Sequence, residues 1–113
     1  MSDLPDAGDL VWVNFNPQAG HEQAGRRPAM VLSPLIYHEK TALAVVCPIT
    51  SNTNPYPFKV LLAEDLPITG AVLVDQMKSI DRAARQLQVA GRAPRDIVAN
   101  VQAKLAALLG LTN

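Results

Sequence analysis

Two segments of the chain carry polar side chains suited to chemistry. The first, residues 20–28 (GHEQAGRRP), places one carboxylate and two guanidinium groups within a few residues, on a backbone that glycine frees and proline stops. The second, residues 48–52 (PITSN), carries hydroxyls and an amide where the chain leaves a strongly apolar run. Rigid scaffolds usually present reactive groups on loops and at strand ends. These two segments are therefore the first candidates for a functional site.

The rest of the chain predicts a small β-sheet that would position both segments. Short stretches rich in Val, Leu and aromatic residues alternate with turn-forming Pro, Gly and Asn, which is typical of short strands. Residues 16–27 and 51–57 predict loops. The expected strands are residues 9–15, 28–33, 42–50, 58–62, 71–80 and 86–92. Pro48 cannot donate to a strand ladder, so it marks an edge or a bulge.

The end of the chain changes period and predicts a helix at residues 94–109. Apolar residues recur there at steps of three and four, which describes one helix face. Pro94 suits a first helical turn, and Gly110 suits the position just after the last one. Residues 1–8 predict a loose leader, and residues 37–40 predict a turn.

These elements predict one domain over residues 1–113, mainly β, with a curved sheet at 9–92 and the C-terminal helix packed on it. The chain is too short for two domains, and with 49% apolar and 18% charged residues it is globular. No apolar run approaches the roughly 20 residues needed to cross a bilayer. Acidic residues stand where a secretory signal would be basic, so we expect a cytoplasmic protein.

The chain lacks a recognisable metal or redox motif. Its single cysteine, Cys47, lies in an apolar run and has no partner for an internal disulfide. It is expected to behave as a small hydrophobic residue, the alternative being a reactive thiol. The two histidines, His21 and His38, do not form a zinc ligand set without a second cysteine. We expect no metal and no cofactor.

The charges are unevenly distributed although their sum is zero. Residues 1–25 carry four acidic groups and no Lys or Arg, whereas residues 78–95 carry five basic groups against Asp81 alone. Such a basic stretch is either a solvated face or a surface that holds phosphates, since contacts to nucleic-acid backbones come mainly from Lys and Arg. Charge alone leaves both interpretations open.

The order of four sequence blocks resembles the MazF/PemK family of toxin endoribonucleases. They are GDLVWVNFNP, GHEQAGRRPAMVLSP, PITSNTNPYPF and VLVDQMKSID, followed by the terminal helix, and they span about Gly8 to Leu109. The second block is the most specific, with the order G-x-E-Q-x-G-x-R-P before a Val/Leu strand and Ser-Pro. The acidic leader, residues 52–57 and residues 64–69 depart from closer family examples.

The resemblance implies an SH3-like small barrel of the MazF/PemK/CcdB type that forms homodimers. It implies the toxin of a toxin–antitoxin system, an mRNA interferase that cuts single-stranded RNA at short motifs without a metal ion and so inhibits translation and growth. The ribose 2′-hydroxyl would attack the adjacent phosphate, leaving a 2′,3′-cyclic phosphate and a 5′-hydroxyl. It also implies an antitoxin whose disordered acidic C-terminal tail folds onto the toxin.

The family's functional residues fall on matching positions of this chain. Its active-site arginine and threonine match Arg27 and Thr50, its loop glutamate matches Glu22, and its substrate-contacting Asp-Gln pair matches Asp75 and Gln76. A guanidinium offers a permanent positive fork for phosphate oxygens, and a hydroxyl can add a hydrogen bond. An arginine rarely gives up its proton, so Glu22 is the candidate general base.

Further residues are candidates for RNA binding, each with an alternative role. Trp12 and Phe15 can stack on bases, but Trp12 suits the core or a dimer interface as well. Asn16 can reach a base edge or cap a turn. The others are Arg26, Ser51 and Lys78, for phosphate or RNA contacts, and Lys78 can equally be a solvated side chain. His21 is expected to be a surface loop residue rather than a catalytic one.

Two other functions fit the same resemblance. A CcdB-type protein of this fold poisons DNA gyrase without cutting RNA, and would not need Arg27 and Thr50 beside an open groove. A catalytically inactive relative would serve only to bind an antitoxin or to dimerise. The sequence favours the RNA-cleaving toxin because both residues stand in their expected context.

Overall fold

The computed structural model describes residues 4–14 and 25–111. Four residues named above, Phe15, Asn16, His21 and Glu22, lie outside these ranges, as does most of the predicted loop 16–27. No helix within the described ranges is long and apolar enough to cross a membrane.

Seven strands and two helices make up the part of the chain that the structure describes. The strands are β1 (Asp9–Asn14), β2 (Arg26–Val31), β3 (Leu43–Thr50), β4 (Lys59–Leu61), β5 (Ala71–Leu73), β6 (Lys78–Asp81) and β7 (Gln88–Arg92). The helices are α1 (Leu35–Lys40) and α2 (Arg95–Leu108), and a 3₁₀ turn occupies Val74–Gln76. The mainly β fold with a C-terminal helix is confirmed.

Strand β3 is the centre of this barrel-like antiparallel sheet. It pairs with β2 on one side, while on the other its first half pairs with β6 and its end pairs with β5. The order β4-β5-β3-β2-β1-β7 completes the sheet. Pro48 lies between the residues that pair with β6 and those that pair with β5. A residue without an N–H donor is tolerated there because the ladder on that side is interrupted.

The two faces of the sheet bury two separate cores, because successive residues of a strand point to opposite faces. Leu10 and Met30 belong to the first core, against which α2 packs with Val101 at its centre. The neighbours Val11 and Ala29 belong to the second core, enclosed by the curvature of the sheet. The remaining members of the second core are Val13, Val31, Ala44, Val46 and Ile80.

Three local structures differ from the sequence-based expectations. The predicted strand at 71–80 is divided into β5, the 3₁₀ turn and β6, because its two ends pair with different parts of β3. The expected turn at 37–40 is part of α1. The prediction of a loose leader fails for residues 4–8, because Pro5 and Gly8 are buried.

The leader is fastened through specific hydrogen bonds. Gly8 donates its N–H to the Val31 carbonyl and accepts from the N–H of Ala93, with a φ of +93° that favours glycine. His38, almost fully buried, places Nδ1 2.7 Å from the Pro5 carbonyl oxygen, so that nitrogen carries the proton. Its Nε2 lies 2.7 Å from the hydroxyl oxygen of Ser33. These contacts join the leader to the end of β2, to α1 and to the residue that follows β7.

The Asp6 carboxylate caps α1 from a distance in sequence. It accepts the N–H of Leu35, the first residue of the helix, at 2.9 Å, a bond that Pro34 at the N-cap cannot provide. The N–H groups of Leu35 and then Ala7 lower the pKa of Asp6 below its usual value. The ionised form is therefore the one that stabilises this end of the domain.

We expect Asp6→Ala to lower the free energy of unfolding at pH 7 by about 0.5–2 kcal/mol, the usual cost of losing a helix cap. A lowered pKa contributes stability above the usual aspartate pKa, and that contribution is lost as the pH falls through the lowered value. The difference from wild type should therefore shrink in acid. Denaturant titrations at pH 7 and near pH 2 measure it, with the exposed Asp65→Ala as control. An equal difference at both pH values would contradict the capping role.

Candidate functional site

Arg27 lies at the beginning of β2, where the second core reaches solvent. It is paired with Val13 and shares the face of Ala29 and Val31, whose side chains are fully buried. The Arg27 side chain itself is exposed. The sheet therefore presents this guanidinium at the rim of an apolar face, where it can meet an anion from solvent.

Thr50 is brought toward Arg27 by the register of β2 and β3. The pairs are Val31 with Val46, Met30 with Cys47, and Ala29 with Pro48. Continued by two residues, this register places Thr50 opposite Arg27. Alternation along β3 also assigns Thr50 to the face of Val46, which is the face of Arg27. The two predicted catalytic side chains thus share one face at adjacent strand ends.

The Thr50 hydroxyl is held so that it can still donate a hydrogen bond. Its Oγ1 accepts the N–H of Asn52 at 3.1 Å, which occupies one lone pair and leaves the O–H available. Gly70, with a φ of +119°, lies directly against the Thr50 carbonyl, and a Cβ at this position would collide with it. This close approach is what allows β5 to pair with the end of β3.

Lys78 occupies the same face as Arg27 and Thr50. It is exposed and pairs with Val46, while Ile80, two residues further along β6, is buried in the second core. Four residue steps along β3 lead from Val46 to Thr50, about 13 Å at 3.3 Å per residue. Lys78 is therefore set apart from Thr50 along the same face.

Asp75 and Gln76 follow β5 in the 3₁₀ turn. Oδ2 of Asp75 accepts the Tyr56 hydroxyl at 2.5 Å, and this bond, with the carboxylate charge, raises the pKa of Tyr56 above its usual value. Oδ1 of Asp75 is buried and has no hydrogen-bond partner among the described residues. Gln76 is exposed. Tyr56 was not expected from the sequence, because no local pattern indicates a bond between residues 19 positions apart.

Arg26 and Trp12 lie on the opposite face of the sheet from Arg27. The Arg26 guanidinium stands 5.9 Å above the Trp12 ring and donates to Oε1 of Gln88 at 2.7 Å. Trp12 is half-buried and packs against the first core. Their contact with RNA stays a prediction, but they are not part of the Arg27 surface.

Ser51, the last of the described candidates, is exposed. It lines an open cavity of about 530 Å³ together with Thr53, Glu64 and Thr69.

Phe15, Asn16 and Glu22 lie outside the described residues, and their assigned roles stay predictions. No group of three or more His, Cys, Asp and Glu side chains able to hold a metal ion occurs within residues 4–14 and 25–111.

The basic stretch 78–95 is largely committed to the fold. Arg82 donates to the carbonyls of Thr41, Leu43 and His38, and Arg92 forms a salt bridge of 2.9 Å with Asp9. These arginines hold turns and strand ends together. Their number in the sequence therefore overstates the positive charge available to a ligand.

Comparison with known proteins identifies the family. Residues 6–109 match the family of PemK-like, MazF-like toxins of type II toxin–antitoxin systems. The chain belongs to the PemK/MazF toxin family. It is 42% identical over 107 residues to the endoribonuclease toxin MazF of Escherichia coli K12, covering 95% of this chain and 96% of that relative. It is also 35% identical over 108 residues to the E. coli endoribonuclease PemK, covering 92% of this chain and 81% of that relative.

Solved structures support the same assignment. MazF from Deinococcus radiodurans is 50% identical and superposes with a TM-score of 0.84, covering 96% of this chain and 99% of its own. A MazE–MazF crystal structure from the same organism gives a TM-score of 0.86 at 43% identity, covering 98% and 100%. This chain is therefore a MazF-type toxin, of the type whose curated relatives carry the name endoribonuclease.

Cys47 of this MazF-family chain is expected to be inert toward thiol reagents. It is fully buried, and burial followed by the charge of Asp75 raises its pKa to about 12. The reactive thiolate is therefore nearly absent at pH 8. Mass spectrometry after iodoacetamide treatment should show an unmodified native protein and a singly modified denatured one. Rapid modification of the native protein would show that Cys47 is a reactive thiol.

Proposed function

We propose that this MazF-type toxin cuts single-stranded RNA by attack of the ribose 2′-hydroxyl on the adjacent phosphate. The products would be a 2′,3′-cyclic phosphate and a 5′-hydroxyl. The observation that supports the proposal is the β2–β3 register, which, continued by two residues, brings Arg27 and Thr50 to one face of the sheet. Family membership supports the same reaction.

Arg27 and Thr50 would act on the charge that develops at phosphorus. A guanidinium can hold two phosphate oxygens at once, and its positive charge is most valuable when the phosphorane carries its extra negative charge. The Thr50 O–H would donate to a non-bridging oxygen, since the Asn52 N–H already fills the acceptor side of that hydroxyl. Protein donors then take the role that a metal ion has in other nucleases.

The remaining proton transfers would involve Glu22 as general base. A permanently charged guanidinium accepts a proton poorly, whereas a carboxylate can accept the 2′-hydroxyl proton, and Glu22 precedes Arg27 by five positions in the sequence. Arg27 would donate the proton to the leaving 5′-oxygen late in the step. Lys78, Asp75 and Gln76 would bind nucleotides on either side of the cleaved bond.

The biological setting follows from the family. The protein would act as a homodimer in the cytoplasm, cut mRNA at a short motif, and so arrest translation and growth. A cognate antitoxin would hold it inactive, in line with the solved MazE–MazF complexes of D. radiodurans. We propose that an acidic tail of that antitoxin competes with RNA for the face that carries Arg27.

Cleavage of single-stranded RNA by the purified protein should persist in excess EDTA. Thr50→Ala should lower kcat by about 10²–10³, the usual effect of losing one pre-aimed donor, and Arg27→Ala by at least as much. Arg26→Ala is the comparison variant. Its guanidinium lies on the opposite face of the same strand, so its loss should act on RNA affinity and leave kcat within about threefold. Gel analysis of cleavage over time measures kcat for each variant, and end-group mapping identifies the products.

Intact RNA with the wild-type protein would contradict the proposed function. So would EDTA-sensitive cleavage, or equal losses of kcat in Arg26→Ala and Arg27→Ala, because the latter would mean that the two faces of β2 are equivalent.

The role of Glu22 is tested by the pH dependence of kcat. A carboxylate base gives an acidic limb on which activity falls as the pH drops through its pKa, and Glu22→Gln should remove that limb and lower the plateau. Single-turnover cleavage from pH 4 to 9 measures the profile. If Glu22→Gln keeps the wild-type acidic limb, the base is another group.

A further inference from the structure

The Lys59 side chain holds the loop that follows Thr50. Its ammonium donates to the carbonyl oxygen of Asn52 at 2.8 Å and to that of Asn54 at 3.0 Å. Lys59 is half-buried at the first position of β4, and its backbone N–H donates to the Tyr56 carbonyl. One residue thus makes three hydrogen bonds to a single loop.

The same loop controls the Thr50 hydroxyl. The Asn52 N–H donates to Oγ1 of Thr50 at 3.1 Å, and the side-chain Oδ1 of Asn52 accepts the N–H of Asn54 at 3.0 Å. Asn52 is therefore held at three atoms, its N–H, its carbonyl and its side-chain oxygen. The carbonyl bond leads to Lys59, and the side-chain bond leads to Asn54, which Lys59 also binds.

Burial contributes little to the order of this loop. All seven residues from 51 to 57 are exposed, so hydrogen bonds must offset the entropy of ordering them. Bonds in which the donor is charged are shorter and stronger than neutral ones. The ammonium of Lys59 is the charged group placed at the centre of the loop, next to Asn52.

We propose that Lys59 is a positioning residue for the Thr50 hydroxyl. Lys59 fixes Asn52, the Asn52 N–H fills the acceptor side of Oγ1, and the Thr50 O–H is thereby directed to the face that it shares with Arg27. This role rests on the proposed function for its effect on catalysis. Lys59 does not itself touch the phosphate, so its loss acts on the transition state rather than on RNA affinity.

Lys59→Met tests the proposal, because methionine keeps much of the apolar stem and removes the ammonium. We expect kcat to fall about tenfold while KM stays within about twofold, since a small misplacement of a catalytic group is costly. Lys59→Arg should recover part of the loss. The matched control is Lys104→Met. Lys104 donates to the Pro57 carbonyl at 2.7 Å, at the far end of the same loop, and its loss should leave kcat near the wild-type value.

A double-mutant comparison separates positioning from a general structural effect. In the Thr50→Ala background, Lys59→Met should cause no further loss of residual activity, because the hydroxyl that it positions is gone. An equal loss in both backgrounds would overturn the proposal, and so would a rise in KM at constant kcat, which would make Lys59 an RNA ligand. Thermal unfolding of each variant identifies losses that come from misfolding.

The outcomes distinguish this proposal from the proposed function. A wild-type protein that leaves RNA intact contradicts the function, and the positioning role falls with it. A wild-type protein that cuts RNA, with Lys59→Met cutting at the same rate, contradicts the positioning role alone. Amide order parameters give an independent readout. They should fall at residues 52 and 54 in Lys59→Met and stay unchanged in Lys104→Met.

Discussion

The divided pairing of β3 is the constraint on which the rest of the structure depends. This one strand pairs with β2 along one side, and with β6 and then β5 along the other. The change of partner occurs around Pro48, which lies between the residues paired with β6 and those paired with β5 and has no N–H to donate to a ladder. Continued past the Ala29–Pro48 pair, the β2–β3 register brings Thr50, the last residue of β3, opposite Arg27 near the start of β2.

The two cores lie on opposite faces of the sheet, and this explains why neighbouring residues of one strand differ so sharply in their surroundings. Along β2, Arg27 continues the face of Ala29 and Val31, while Arg26 continues the face of Met30. The α2 helix covers one of these faces, and the curved sheet encloses the other. Arg27 lies where the face of the second core reaches solvent, so the packing of that core sets its position.

Much of this arrangement could be predicted from the sequence, and the remainder depends on contacts between distant residues. The period of the apolar residues predicts α2, and the short apolar runs predict the strands. The Asp6 cap on α1, the Tyr56 bond to Asp75 and the division of residues 71–80 could not be predicted, since each joins segments far apart in the chain. Which face of the sheet Arg26 and Arg27 each occupy can be assigned only from the strand register, and the residue types alone do not determine that register.

Arg26 and Arg27 form a doublet, and Thr50 and Ser51 form another at the facing strand end. Consecutive side chains of a β-strand point to opposite faces, so Arg26 and Arg27 offer a guanidinium to each face of the sheet, whereas Ser51 follows the last residue of β3. A one-residue deletion in β2 between Arg27 and Ala29 would bring Arg26 to the face of the second core in place of Arg27, so that face would keep a cation. The guanidinium on this face is thus less dependent on the exact length of β2 than are the core residues beneath it.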